Sequence, residues 1–98
     1  MNGTTLKTSD YLFMQFKTLT PTLEQVCTVY YPLLSRAKVL EKARNMEFPF
    51  VCFKIDKSQK SPYLVDIFDL AFVLDQNYKD QLAEFNNFNK KTRPTARS

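Results

Sequence analysis

At 98 residues, with 44% apolar side chains, nine Phe and five Tyr, the chain has the length and composition of one small globular domain with a single modest core. It holds no histidine, no Gly-rich phosphate loop and no GxSxG, and its two cysteines, Cys27 and Cys52, lack metal-type spacing. Catalytic and metal chemistry therefore have little to draw on, and an enzyme is not expected. The formal charge of +4 is unevenly spread: residues 35–61 hold seven Lys/Arg against three acids, whereas residues 62–88 hold one Lys against five. Such polarity favours an anionic partner for the middle of the chain.

Residues 1–9 are polar and are expected to be a flexible N-terminus. The run Tyr11-Leu12-Phe13-Met14-Gln15-Phe16 is too short to type by periodicity, and strand and helical turn both fit it. Next, Thr20 and Pro21 look like a helix cap and a first helical position. Leu23, Val26, Cys27 and Tyr30 then recur at helical spacing, predicting an amphipathic helix over about 22–30 that Pro32 ends. Ser35 caps a second helix over 36–44, with Lys38, Glu41 and Lys42 on its polar side and Asn45 as a left-handed terminator. Two short helices joined by a tight turn form a helix-turn-helix pattern.

Phe50, Val51, Cys52, Phe53 and Ile55 predict a strand, and Tyr63-Leu64-Val65 a shorter one returning beside it. Between them lies the polar loop 56–62, which carries Lys57, Ser58, Gln59, Lys60 and Ser61. Asp66 is expected to cap a long third helix, with Asp69 in its first turn favouring the helix dipole. Along it Ile67, Leu70, Ala71, Leu74, Tyr78, Leu82 and Phe85 share one face. Phe68 and Phe72 fall off that face, where they either widen the core contact or form an oligomerisation patch. Residues 87–98 are expected to be a flexible basic tail. Cys27 and Cys52 are expected to be free, and no run is long enough to cross a membrane.

These elements predict an α+β winged helix-turn-helix domain over residues 10–86, with the hairpin as the wing. In that arrangement Ser35, Arg36, Lys38 and Lys42 meet the major groove, while Lys57, Ser58, Gln59, Lys60 and Ser61 meet the backbone. The expected partner is double-stranded DNA, bound by a homodimer or higher homo-oligomer, with RNA polymerase or another host protein as a further candidate. No cofactor and no membrane are expected, and the protein is expected to be cytoplasmic.

The segments LFMQF (12–16), TLEQVCTVYYPLLSRAKVLEKA (22–43) and FPFVCFKIDKSQKSPYLVDIFDLAFVLD (48–75) resemble the pyocin activator (PrtN-type) family of phage and prophage regulators. The resemblance covers roughly residues 11–78. Its most specific part is SQKS at 58–61 followed by the DIFDLAFVLD helix. It implies a small DNA-binding transcription activator of phage-derived operons, similar in outline to excisionase-like winged-helix regulators. The chain departs from the family pattern at Asn45-Met46, where a glycine is expected, and at Pro62-Tyr63. Two other readings stay open: a phage module that binds a host protein, and an excisionase-like factor that bends DNA.

Overall fold

The computed structural model describes residues 5–89. Its elements, in order, are α1 (Thr8–Phe16), α2 (Leu23–Tyr30), α3 (Arg36–Arg44), β1 (Cys52–Phe53), β2 (Leu64–Val65) and α4 (Ile67–Asn89). The strands pair antiparallel, Cys52 opposite Val65 and Phe53 opposite Leu64. Among the described residues, four helices and a small two-stranded sheet give an α+β architecture.

The ambiguous first run is helical. Its start is held by the Lys7 N–H donating to Asp10 Oδ2 at 2.8 Å. Leu12 is buried and Phe16 half-buried, one helical turn apart, whereas Tyr11, Phe13 and Met14 face outward. The helix stops at Lys17, which takes a left-handed φ of 64° and donates its N–H to the Phe13 carbonyl at 2.7 Å.

The cap of α2 is Thr22, not Thr20. Thr22 Oγ1 accepts from the Gln25 N–H (3.1 Å) and Gln25 Oε1 accepts from the Thr22 N–H (2.9 Å), a reciprocal capping box. Pro21 is not helical, because its segment works as a third, irregular strand. Ile67 N–H donates to the Leu19 carbonyl, Val65 N–H to Pro21 and Leu23 N–H to Tyr63, at 3.0, 2.9 and 2.8 Å. A bridge pairs Thr22 with Leu64. The short β2 is thus bonded on both edges.

The first strand of the hairpin is shorter than the apolar run 50–55. Phe50 is drawn into an aromatic cluster, stacked on Phe48 at 5.2 Å with Tyr31 edge-on to both. The Val51 N–H is taken by Asp69 Oδ2 at 2.8 Å. Asp69 therefore ties the start of the hairpin to α4, beyond any interaction with the helix dipole. Only Cys52 and Phe53 are left to pair.

At the end of α3, Asn45 has φ −92° and ψ 7°, so it is not the left-handed residue. Met46 is, at φ 56°. Met46 N–H donates to the Ala43 carbonyl and Glu47 N–H to Lys42, at 3.2 and 2.9 Å, the two bonds of a Schellman ending. The position that glycine would fill without strain is taken by an exposed methionine.

Leu23, Val26, Val65, Ile67 and Leu70 form the centre of the core, each at most 2% exposed. Burial at this level contributes about 1.5–3 kcal/mol per side chain. Val39 and Ala43 bring α3 onto it, and Leu12 brings α1, which packs along α4. Thr8 Oγ1 donates to Asp75 Oδ1 at 2.7 Å and marks where that packing ends. From Asp75 through Phe88 every residue of α4 is exposed. The helix continues to Asn89, into the segment expected to be tail, and residues 90–98 of that tail lie outside the described residues.

Candidate nucleic-acid interface

Ser35 sits in extended backbone, and its hydroxyl accepts from the Lys38 N–H at 3.2 Å. That bond satisfies one of the otherwise open amides at the start of α3. Ser35 is exposed, and its hydroxyl fixes the start of the helix from which the lysines project.

The helical period then sorts the cations. Val39 and Ala43 are buried, so the residues opposite them, Ala37, Lys38, Glu41 and Arg44, form the free face. Arg36 leans to one flank and lies 3.9 Å from Glu24 of α2. Lys38 lies 3.5 Å from Glu41. Both pairs are largely solvent-exposed, so each holds its cation weakly and a phosphate can displace the carboxylate. Lys42 takes the opposite flank, half-buried with its ammonium 5.2 Å above the Phe48 ring. Arg44, on the free face, was not singled out in the sequence. Its wheel position opposite Val39 and Ala43 is the signal that finds it.

The hairpin loop is organised by Ser58. Its N–H donates to Asp56 Oδ1, its hydroxyl accepts from the Lys60 N–H at 3.1 Å, and its carbonyl accepts from the Ser61 N–H at 3.1 Å. The SQKS segment is thus a folded tip in which Ser58 shapes the turn, Ser61 is half-buried, and Lys57, Gln59 and Lys60 face solvent. Neither ion pair among the described residues involves Lys57 or Lys60. Lys54 supports the tip from below, its Nζ 4.7 Å from the Tyr63 ring centroid across the hairpin and 3.4 Å from the Ser58 carbonyl. Lys54 is a further cation at this end of the molecule, legible as the residue that follows the last paired position of β1.

The two parts meet at a cleft of about 340 Å³. Arg36 and Leu40 of α3 line one side, Glu24 and Tyr31 line another, and Pro62 and Tyr63 of the returning hairpin close it. The beginning of α3 and the base of the charged loop therefore border one concavity. Pro62-Tyr63 is the hairpin's side of this junction.

Both thiols are free and shielded. Burial pushes Cys27 up, with Lys42 opposing, and burial pushes Cys52 up to about 11, helped by Cys27 and Asp69. Protonated thiols are poor nucleophiles. Among the described residues no three His, Cys, Asp or Glu gather as a metal site, and no helix is long and apolar enough to cross a membrane. Phe68 and Phe72, flagged for oligomerisation, are both more than half exposed, and Phe68 borders a shallow apolar hollow with Leu6, Phe13, Met14 and Leu19.

The family model described as pyocin activator protein PrtN matches residues 8–81, from the start of α1 to just past the middle of α4. No curated protein and no solved structure matches the chain. The matched span takes in α1 to α3, the hairpin with its Ser58-built tip, and residues 67–81 of the Asp66-capped α4. The chain belongs to the pyocin activator protein PrtN family.

Proposed function

We propose that this protein is a winged helix-turn-helix regulator that binds duplex DNA sequence-specifically and activates transcription of phage or prophage genes. In this reading α2 and α3 are the helix-turn-helix and the β1–β2 hairpin is the wing. The free face of α3, with Lys38 and Arg44, enters the major groove, and Arg36 reaches from its first turn. Lys57 and Lys60 contact phosphates, Gln59 lies between them, and Ser58 and Ser61 hold the tip in shape. Membership of an activator family makes a regulatory role the natural one and points to DNA or the transcription machinery as partners.

The observation that carries the reading is the shared cleft, because it sets Arg36 and the hairpin return side by side. A duplex touching both parts gains the sum of their phosphate contacts. The direct test is binding of the full chain to sheared host and prophage DNA, followed by sequencing of the retained fragments. Enrichment of promoter-proximal segments sharing a common sequence is expected. Uniform retention without a common sequence would remove the sequence-specific reading, and no retention at low salt would remove DNA binding altogether.

A further inference from the structure

Where α1 crosses the start of α4, the fold leaves an apolar surface open. Leu6 ahead of α1, Phe13 and Met14 on it, Leu19 after it and Phe68 of α4 line one hollow together with the buried Ile67. Those first five side chains are each 45–57% exposed. Phe72 follows Phe68 by one helical turn on the same side of α4 and is 65% exposed. Among the described residues lining the hollow, Asp10 is the one that carries a charge, and its Oδ2 accepts from the Lys7 N–H at 2.8 Å. Aromatic and methionine side chains with little charge make up the core of a protein–protein interface and offer nothing to a phosphate.

We propose that a second copy of the chain occupies this hollow across a two-fold axis, each copy seating its Phe72 in the hollow of the other. Shape and area select that occupant. A projecting ring beside a hollow on one surface is self-complementary, as a two-fold interface requires. At roughly 200 Å² per aromatic side chain, Phe13, Phe68 and Phe72 leave roughly 330 Å² open per copy. Leu6, Met14 and Leu19, each about half exposed, bring this to roughly 500 Å². Two such patches contribute roughly 1,000 Å² of apolar area, and at about 65% apolar the whole contact comes to roughly 1,500 Å². That is the size of a standard specific interface. None of the residues lining the hollow belongs to α3 or to the hairpin, so pairing leaves the cationic surface open, and the inference stands apart from DNA binding.

Sedimentation equilibrium of the full chain, without DNA, tests this. A dimer is expected at about 100 μM. Phe72→Glu should weaken it about thirtyfold or more, with unchanged circular dichroism and thermal unfolding, because the ring is exposed and its truncation touches only the partner. Leu33→Glu, the same kind of change at a side chain 97% exposed in the turn between α2 and α3, should leave the dimer intact. Oxidation by dilute peroxide gives a second readout: Met14 should become more protected as chain concentration rises, while Met46, 89% exposed, reacts at a constant rate. A monomeric wild type, a dimer that survives Phe72→Glu, or a dimer lost on Leu33→Glu each overturns the assignment. Protection of Met14 that is independent of concentration also overturns it, because a segment of the same chain would then fill the hollow.

Discussion

Replacing Lys57 and Lys60 together with Ala isolates the contribution of the hairpin tip. Both side chains are exposed, and neither is engaged by the ion pairs among the described residues, so each is free to neutralise one phosphate. Their backbone is set by Ser58 and Asp56, which the substitutions leave in place, so the loop should keep its shape. Each phosphate contact adds about 0.9 to the magnitude of the slope of log K against log salt. Losing two should lower that magnitude by about 1.8, so a rise from about 50 to about 200 mM salt should cost the wild type about twelvefold more affinity than the variant. Fluorescence anisotropy of a labelled duplex across a salt series measures this directly. The preference for a specific over a random duplex should be nearly unchanged, because phosphate contacts carry no sequence information. An unaltered slope would refute the assignment of the tip to the DNA backbone. Loss of specific binding with random binding intact would instead move base recognition to the hairpin.

Other outcomes follow from the same geometry. Glu24→Gln removes a carboxylate 3.9 Å from Arg36 and should tighten DNA binding about two- to fivefold at low salt, a gain that fades as salt rises; a loss in affinity would take Arg36 away from the interface. Met46→Gly should stabilise the chain by up to about 1 kcal/mol in urea unfolding, because the exposed Met46 holds φ 56° and buries little. Asn45→Gly, one residue earlier at φ −92°, should destabilise it by a few tenths to about 1 kcal/mol. Cys52 ionises in the unfolded chain near its ordinary value of 9.0 but only near 11 in the folded one. Its contribution to stability should therefore be complete below pH 9 and vanish as pH rises through 11. Melting temperature in that window should fall less for Cys52→Ala than for the wild type.

Much of this architecture was legible in the amino-acid order. The α2 and α3 spans follow from apolar spacing with Ser35 as a cap, and Asp66 caps α4 as expected, its Oδ1 accepting from the Phe68 N–H at 3.1 Å. Capping and helical period are local properties: they involve residues three or four apart, so the sequence carries them whole. The cation-rich stretch and the polar loop are likewise properties of composition.

What tertiary structure decided was where backbone groups go when a distant partner competes for them. Pro21 was drawn out of a helix start because its carbonyl meets Val65, and Val51 left the ladder because Asp69 takes its N–H. Lys42, on the flank of α3, gained a ring to sit over because Phe48 is held beside it by stacking with Phe50. Sequence spacing ranks α4's apolar positions equally from Ile67 to Phe85. Only the packing of α1 and the sheet determines that the first of them are core and the rest remain in solvent, because burial depends on what lies opposite a residue in space, and no local pattern encodes that.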